Sequence, residues 1–537
     1  MISQTATYVI IFSVLFVYCC LSGVAAYFVI TDLRKEGKGA RDYKFGAHVS
    51  RSASECQGPV SLGLSFFASA MGGWVLFSAP EVGILSGWWG TIGYALASSL
   101  PFAMFAWLGP IIRRRFAAGF CLTDWVRQRF GRPLQLYVSL VSVFYMWVYM
   151  VAELTSIGNL VRDMSGLSPL NALLPVSIFT LMYTSLSGLP GSIWTDRLQG
   201  VIMVIFIIVT VIACFGGLHI ADGKWGEVST WTDKGFESLV TLILAVIGAE
   251  LFNMGTWQRV YAAESVGALR KGCALGGGLI FLTMFLFGLC GMLAEAQDRS
   301  RPESTLTIKA LAFFDLLTSQ NAGIQGLVFA LAVCMVASSV DSLQTGLLSV
   351  LSKDILGTTL TQVQSLVVGQ MFLVAVNVPA IIMASESTKD PALGWNIINL
   401  FLVADLIALS IAMPIFMGLV PMMTQNGAFA GCFAGLLMIM GFGWVEFGTF
   451  VAGLEMFTLM AFGNVKPLEY GLGASRTCII FVLLPVVTGL VTYVVSWMER
   501  VAEKFSVNYG TAEDAAPVKG GAAEEAAPVL GQHDVAV

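Results

Sequence analysis

Charged residues are scarce in this chain. Asp, Glu, Lys and Arg make up 12% of its 537 residues, whereas a soluble globular domain contains about 25%. Hydrophobic residues make up 56% of the chain, and its mean hydropathy is +0.79. This composition excludes an ordinary soluble domain and predicts an all-α integral membrane protein with many spans.

Histidine and catalytic motifs are also rare or absent. The chain has three histidines, His48, His219 and His533, and none of them lies in the middle of an apolar segment. Its 10 cysteines include no C-x-x-C pair, which argues against a disulfide framework or a zinc site. It also has no paired-histidine metal motif, no Walker sequence and no G-x-S-x-G element. The sequence therefore argues against an enzyme.

Apolar windows of about 20 residues, the length that crosses a bilayer, occur at thirteen places. They lie near 6–30, 59–84, 86–111, 133–160, 170–190, 199–220, 238–258, 271–295, 323–350, 361–385, 394–420, 426–447 and 476–498. The segment 448–475 is apolar enough to be re-entrant or a further helix. The densest basic clusters fall in alternate loops, so the positive-inside rule predicts an outside N-terminus and a cytoplasmic C-terminus.

The order of the windows predicts a division into five parts. These are an extra helix with a basic cytoplasmic loop (1–58), a five-helix repeat (59–220), a second five-helix repeat (238–420), accessory helices (421–502) and a tail (503–537). Because five is an odd number, the second repeat must be inverted in the membrane. The tail is rich in Ala, Glu, Gly and Pro, and we expect it to be disordered in the cytoplasm.

The first helix of each repeat contains a candidate break. Gly72 and Gly73 lie at the centre of an apolar stretch that runs to Pro80, and Gly255 lies in the stretch GAELFNMGTWQR. Paired glycines can unwind a helix. Interrupted helices in corresponding places of two halves indicate a secondary transporter with its site at the repeat interface.

Five carboxylates fall inside the predicted spans, and no Lys or Arg lies in the middle of those spans. They are Glu81, Glu153, Glu250, Asp341 and Asp405. Each is either a misplaced helix-end residue, which is an open alternative for Glu81, or is protonated, hydrated, or facing a cation. For Asp341 and Glu250, which lie well inside their segments, we favour a functional role.

The ninth window carries a polar face. Ser338, Asp341, Ser342 and Thr345 follow the spacing i, i+3, i+4, i+7, which places them on one side of a helix. Packing by small polar residues could account for Ser342 and Thr345. It accounts less well for the adjacent pair Ser338 and Ser339 beside Asp341, because hydroxyl oxygens suit hard cations.

Three motifs resemble those of the sodium:solute symporter family. YTSLSGLPGSIWTDRLQG (183–200) is similar to its cytoplasmic G-G-L-x-x-x-x-W-T-D-x-x-Q signature, with Ser187 replacing the first glycine. SFFASAMGGW (65–74) resembles its broken first core helix, and ASSVDSLQTGLLSVLSKDI (337–355) resembles its eighth. The resemblance covers about 59–420 and implies a LeuT-like fold of about thirteen helices, with a 5+5 inverted repeat, broken first and sixth core helices, and alternating access.

The resemblance also implies where the co-transported Na⁺ binds. The ligands carried over are the backbone carbonyls of Ala68, Met71 and Met335 and the hydroxyls of Ser338 and Ser339. Asp196 matches an acidic residue linked to sodium handling on the cytoplasmic side. Some members have an acid beside this site where the present chain has Ala70. Asp341 could replace that charge; otherwise the coupling ion could be a proton.

For the solute, the resemblance places the site between the first, third, sixth, eighth and tenth core helices. The residues expected to line it are Trp74, Phe77, Glu153, Glu250, Met254 and Trp257. Carboxylates only accept hydrogen bonds, and aromatic faces attract cations. These residues therefore favour urea, a polyamine or a quaternary amine over an anion, with urea preferred on resemblance to the urea-transporting branch.

We interpret the sequence as a sodium-coupled symporter of a small polar organic solute. Two alternatives stay open at this point: proton coupling through Asp341 or Glu250, and a solute sensor that does not transport. The expected partners are the solute, Na⁺ and the lipid bilayer, with no nucleic acid and no obligate protein partner. We expect the plasma membrane as its location.

Overall fold

The structure, a computed structural model, describes residues 2–35, 57–116, 119–216, 218, 220, 222–297, 311–317, 320–356, 360–389, 396–459 and 471–513. Within these ranges the regular structure is helical. In chain order the α-helices are α1 (Gln4–Lys35), α2 (Pro59–Ala70), α3 (Val75–Arg115), α4 (Leu122–Phe130), α5 (Arg132–Ser165), α6 (Leu170–Phe215), α7 (Lys224–Val228), α8 (Asp233–Glu250), α9 (Met254–Ala262), α10 (Val266–Ala296), α11 (Ala312–Leu317), α12 (Ala322–Ser349), α13 (Gln362–Lys389), α14 (Ile397–Met417), α15 (Gln425–Phe447), α16 (Phe450–Glu455) and α17 (Ser475–Glu513). The prediction of an all-α protein is confirmed.

Ten of the described helices are long and apolar enough to cross a membrane, and eleven spans result when α8 and α9 are taken as one bent span. Thirteen were expected. The other two predicted windows, 59–84 and 170–190, contain the apolar helices Pro59–Ala70 and Leu170–Ser185, which are shorter than 18 residues. The helices α3 and α6 are 41 and 46 residues long. Each is kinked at a glycine with positive φ, Gly87 (φ 56°) in α3 and Gly188 (φ 57°) in α6, a conformation that other residues rarely adopt.

Both expected helix breaks are present, but the second lies at 251–253, and Gly255 is inside the helix that follows it. In the first, α2 ends at Ala70 and α3 begins at Val75, with Met71 in a non-helical conformation (φ −94°, ψ 87°). In the second, α8 ends at Glu250 and α9 begins at Met254, and the two axes meet at 63°. The Asn253 side chain caps α9 by accepting a hydrogen bond from the Thr256 backbone N–H at 3.2 Å.

The most internal helices are α12 and α14. Of the most apolar window in each span, 72% is buried in α12 and 78% in α14, against 33% in α1. Helix α12 packs against α5, α6 and α2, and α14 packs against α5 and α8. The core of the protein is therefore built around α12 and α14, and the broken helices pack against them.

The regions outside the repeats differ in part from expectation. Helix α17 continues to Glu513, so the predicted tail 503–537 begins as helix, and residues 514–537 lie outside the described residues. The predicted basic loop also lies largely outside them, at 36–56. Within 448–475 the structure shows the six-residue helix α16, which is too short to cross a bilayer, while 460–470 are not among the described residues.

Candidate functional site

A cavity lies where the first break meets α3, α5, α8, α12 and α14. Including its opening to solvent, its empty volume is about 810 Å³. Its lining consists of Ser69, Ala70, Met71, Trp74, Val82, Tyr94, Ser98, Phe102, Tyr149, Glu153, Leu242, Val246, Glu250, Asn253, Ser339, Leu343, Ile398, Phe401, Leu402 and Asp405. Three of these residues are carboxylates, and none is Lys, Arg or His. The cavity is therefore lined by acidic groups without a basic residue.

The acidic groups are Glu153, Glu250 and Asp405, from α5, α8 and α14. Glu153 and Asp405 are each 2% exposed. Tyrosine hydroxyls hold two of the three carboxylates, since Tyr145 donates to Glu250 Oε1 at 2.9 Å and Tyr149 donates to Asp405 Oδ1 at 2.9 Å. A neutral phenol donor orients a carboxylate but does not cancel its charge.

The spacing of residues on α5 explains this arrangement. Tyr145, Tyr149 and Glu153 follow one another at intervals of four, so all three lie on one face of the helix. That face turns towards the cavity and carries two hydroxyl donors and one carboxylate. Asn253, from the second break, adds a donor to Glu250 at 3.2 Å between Nδ2 and Oε2.

Aromatic rings form another part of the wall. The Phe401 ring lies 4.5 Å from the Tyr149 ring and 5.2 Å from the Trp74 ring, measured between centroids, and the Trp74 ring is 5.9 Å from that of Tyr94. Aromatic faces attract cations. Carboxylates and ring faces in one cavity together make a site suited to a positively charged or hydrogen-bond-donating solute.

The structure brings only part of the expected solute-binding set to this cavity. Trp74, Glu153 and Glu250 line it, whereas Phe77, Met254 and Trp257 are buried elsewhere. Phe77 packs against Phe314, at 4.9 Å between ring centroids, and Met254 is fully buried at the start of α9. Trp257 packs against Phe105 and donates from Nε1 to the Leu251 carbonyl at 2.8 Å.

The physical reason is the geometry of the second break. The sequence predicted a break within 238–258 but not its angle, and α9 is turned by 63° from α8. The side chains after the bend therefore point in other directions than the helical period of α8 would give. Met254 and Trp257 pack into the protein core, while Glu250 before the bend faces the cavity.

The expected sodium ligands come from α2, the first break and α12, and two of them, Met71 and Ser339, line the same cavity. Ala68, Met71, Met335, Ser338 and Ser339 are all buried, and α2 packs against α12. A Cβ atom added at Gly73 would lie 2.4 Å from Val336 Cγ2, which shows how closely the break approaches α12 beside Met335. Sodium binding by these five residues stays a prediction.

The two serines contact different carboxylates. Ser338 donates its hydroxyl hydrogen to Asp196 Oδ1 at 2.8 Å, and Ser339 donates to Glu153 Oε1. Asp341 was expected to supply a charge beside this pair, but its Oδ1 accepts from Thr184 at 2.5 Å and its buried Oδ2 has no hydrogen-bond partner. The carboxylates in direct contact with the serine pair are thus Asp196 and Glu153.

Asp196 belongs to a buried ionic network centred on Arg259. Both side chains are 0% exposed, and Arg259 Nη2 lies 2.7 Å from Asp196 Oδ2. At distances of 2.7–3.2 Å the guanidinium donates to Ser65 Oγ, Ser192 Oγ, Asp196 Oδ2, Ser342 Oγ and the Gly255 carbonyl oxygen. The network joins α2, α6, α9 and α12 below the expected sodium site.

Sequence reasoning did not assign Arg259, Asp405 or Tyr149 to a site. Arg259 stands one residue beyond the predicted span 238–258. Asp405 was recognised as an intramembrane carboxylate, but a sequence does not show which face of an apolar helix points inward. The i, i+4, i+8 series of Tyr145, Tyr149 and Glu153 was the available signal.

A third polar cluster lies away from the cavity. Cys121, Asp124 and Asp354 are close enough to hold a metal ion. Lys353 Nζ, however, lies 2.6 Å from Asp124 Oδ2, and Asp354 accepts hydrogen bonds from Gln135 and Ser139. The polar groups of this cluster are thus paired with protein side chains.

Comparison with known proteins gives consistent results. A family model described as the sodium:solute symporter family matches residues 53–435. A spermidine transporter of Candida albicans is 27% identical over 376 residues, which cover 68% of this chain and 69% of the transporter. The sodium/proline symporter of Escherichia coli is 23% identical over 447 residues, covering 77% of this chain and 86% of that protein.

The fold also matches a solved structure. A Na⁺-coupled sialic acid symporter in a substrate-bound outward-open state superposes with a TM-score of 0.67 at 16% identity, covering 91% of this chain and 98% of that chain. At this identity the match concerns the fold alone. It confirms the expected LeuT-like architecture.

Proposed function

The chain belongs to the sodium:solute symporter family, and from that premise we propose that it is a Na⁺-coupled importer of a linear polyamine such as spermidine. Family membership makes it an integral membrane transporter rather than an enzyme, with Na⁺ as the co-transported ion. The identity of the solute, the position of the ion and the orientation of the chain are parts of the proposal. We place it in the plasma membrane, with an outside N-terminus and a cytoplasmic C-terminus.

The observation that carries the proposal is the set of three carboxylates around one cavity without a basic residue in the lining. A polyamine has several ammonium groups separated by apolar methylene segments. Each ammonium only donates hydrogen bonds and each carboxylate only accepts them, and the aromatic wall suits both the charges and the methylenes. An anionic solute would instead require a positive partner, as carboxylate recognition normally does.

The comparison with relatives agrees with a cationic solute. The spermidine transporter of Candida albicans matches more than two thirds of its own length. Urea, the solute that the sequence favoured, could donate hydrogen bonds to the same carboxylates. It is neutral, however, and leaves the buried carboxylates to be neutralised by protonation, whereas an ammonium group stabilises their ionised, hydrogen-bond-accepting form. We therefore favour a polyamine over urea.

For the ion, we place Na⁺ between the first break and α12, on Ala68, Met71, Met335, Ser338 and Ser339. The hydrogen bonds of the two serines support this position. Each hydroxyl has one hydrogen, and Asp196 and Glu153 accept the two hydrogens. The oxygen lone pairs of both serines are then free to coordinate a hard cation.

One observation favours a second candidate, in which a proton is the coupling ion. Asp341 is 1% exposed and its Oδ2 has no hydrogen-bond partner. A buried carboxylate oxygen of this kind is a reasonable proton carrier. Glu250, the other carboxylate proposed for proton coupling, is instead held by Tyr145 and Asn253.

The test is uptake by purified protein in sealed proteoliposomes. Labelled spermidine, urea, choline, proline and glucose are each offered with an inward Na⁺ gradient, and then with Na⁺ replaced by a large inert cation at two pH values. We expect spermidine to accumulate only with Na⁺, in the wild type and in Asp341→Asn. Accumulation driven by acid pH and lost in Asp341→Asn would establish the proton candidate instead. Binding without accumulation under any gradient would identify a sensor.

A further inference from the structure

We propose that the Glu153 carboxylate couples Na⁺ binding to solute binding, because it lines the solute cavity and accepts a hydrogen bond from Ser339, an expected sodium ligand. This inference rests on the proposed function and names the residue through which the two cations affect each other. The cavity carboxylates then have two different roles. Glu250 and Asp405 bind the solute, whereas Glu153 binds the solute and also changes its orientation when Na⁺ binds.

The contacts of Glu153 carry the first step. Its Oε2 accepts a hydrogen bond from the Gly73 backbone N–H at 3.0 Å, and its Oε1 accepts from the Ser339 hydroxyl. The same side chain lines the solute cavity and is 2% exposed. One carboxylate therefore joins the unwound part of the first core helix, an expected sodium ligand on α12 and the cavity.

The glycine pair at the break makes this approach possible. A Cβ atom added at Gly72 would lie 1.5 Å from Glu153 Oε1, and one added at Gly73 would lie 2.8 Å from Ser156 Oγ. Real Cβ atoms do not approach oxygen this closely, so any other residue at Gly72 would displace the carboxylate. The Gly72–Gly73 pair thus allows both the unwinding of the helix and the close contact with α5.

The position of the carboxylate is also favourable electrostatically. Its Oε2 accepts from the Gly73 N–H, two residues before α3 begins at Val75. A negative group near the start of a helix is stabilised by the helix dipole. Glu153 is therefore held in place at one end by the backbone of the break, and its orientation depends on Ser339 at the other.

This geometry sets the sign of the coupling. Na⁺ bound to the Ser339 oxygen fixes the direction of that hydroxyl, so its hydrogen stays directed at Glu153. The carboxylate is then held in one orientation at the cavity, ready to accept an ammonium group. Preorganisation of this kind raises the affinity of the second ligand, and by linkage the solute raises the affinity for Na⁺ by the same factor.

The other two cavity carboxylates provide a contrast. Glu250 is held by Tyr145 and Asn253, and Asp405 by Tyr149. None of these partners is an expected sodium ligand. Removing the charge of Glu250 should therefore weaken solute binding and leave the coupling intact, which makes Glu250→Gln a matched control for Glu153→Gln.

The experiment measures Na⁺ binding to purified protein in detergent, with and without saturating spermidine, and spermidine binding at low and high Na⁺. In the wild type we expect spermidine to lower the half-saturating Na⁺ concentration at least about fivefold. In Glu153→Gln this ratio should fall to about one, while Glu250→Gln should keep the wild-type ratio despite weaker spermidine binding. Gln keeps a carbonyl oxygen that can accept from Gly73, and melting temperature checks that each variant is folded.

A second pair of variants tests the same contact without changing any charge. Gly72→Ala should displace Glu153 and reduce the ratio, whereas Gly278→Ala, where an added Cβ meets nothing within 4 Å, should leave it unchanged. A wild-type ratio in Glu153→Gln would overturn the coupling role and leave the proposed function standing. Wild-type protein that binds no spermidine, or binds it without regard to Na⁺, would instead contradict the proposed function itself.

Discussion

Two buried polar networks meet on neighbouring residues of α12, and they differ in whether they contain their own cation. Ser338 contacts Asp196, which is paired with Arg259 at 2.7 Å. Ser339 contacts Glu153, which lines a cavity with two further carboxylates and no basic residue. One network pairs its carboxylate with an arginine, whereas the lining of the other contains no basic residue.

This difference separates a structural role from a binding role. A buried ion pair is strongly destabilised when one partner is removed, because the other charge remains without compensation. In a binding site the ligand compensates the charges instead. Removing one of these charges therefore lowers the affinity for the ligand rather than the stability of the protein. The following predictions test whether the two networks divide in this way, beginning with the largest expected effect.

Arg259→Ala should cause the largest change in stability. The substitution leaves Asp196 buried without its cation, which costs about 3–5 kcal/mol. We expect a large fall in melting temperature and in the yield of folded protein, with partial recovery in the double variant Arg259→Ala/Asp196→Asn.

The control for this substitution is Arg500→Ala, which removes an arginine whose side chain is 47% exposed. Exposed pairs contribute little, and we expect its melting temperature to stay close to that of the wild type. A stable Arg259→Ala protein would show that the network around Asp196 does not need its cation.

Asp405→Asn should show the reverse pattern. Hydrogen bonds to charged groups contribute about 1.5–3 kcal/mol, so spermidine affinity should fall at least about tenfold. The melting temperature should stay unchanged or rise, because the substitution removes an uncompensated buried charge. Calorimetric titration and thermal unfolding of the same preparation measure both quantities, and unaltered spermidine affinity would remove Asp405 from the site.

Ser338→Ala tests the point at which the two networks join. It removes a hydroxyl that we propose as a sodium ligand, and the half-saturating Na⁺ concentration should rise about five- to thirtyfold, in line with 1–2 kcal/mol for one such contact. Spermidine affinity at saturating Na⁺ should change little. Thr488→Ala, which removes a buried hydroxyl bonded to the backbone of its own helix, is the control, and equal Na⁺ dependence in both variants would contradict the site.

Phe401→Leu should have the smallest effect. It removes the ring between Trp74 and Tyr149 and keeps an apolar side chain of similar size. A cation–aromatic contact contributes about 0.5–2 kcal/mol, so we expect spermidine to bind a few-fold more weakly. Phe433→Leu, at a ring that is 55% exposed on the outer surface of the helices, should bind like the wild type; identical affinities in the two variants would show that the ring does not contact the solute.

The sequence predicted the helices of the fold better than the residues of the site. Eleven of the thirteen predicted windows and the first break follow from apolar length and from glycine positions, which are local properties, whereas the LeuT-like arrangement was implied by the resemblance of three motifs. The serine face on α12 followed from helical spacing. Glu153 and Glu250 stood out because a carboxylate within an apolar window needs an explanation.

What the sequence could not show is the direction of side chains after a bend. Arg259 follows a window in which a break was predicted without its angle, and the 63° turn between α8 and α9 brings it into the core beside Asp196. The same turn moves Met254 and Trp257 away from the cavity. Asp405 requires knowledge of which face of α14 is internal, and this depends on contacts with α5 and α8 that are distant in sequence.

The central claim is that the cavity is a receptor for several positive charges. It is tested most directly by measuring, at saturating Na⁺, the affinity of the wild-type protein for spermidine, putrescine, propylamine and urea. We expect affinity to rise with the number of ammonium groups, because each one meets a further carboxylate or aromatic face. Urea or propylamine binding as tightly as spermidine would contradict the claim.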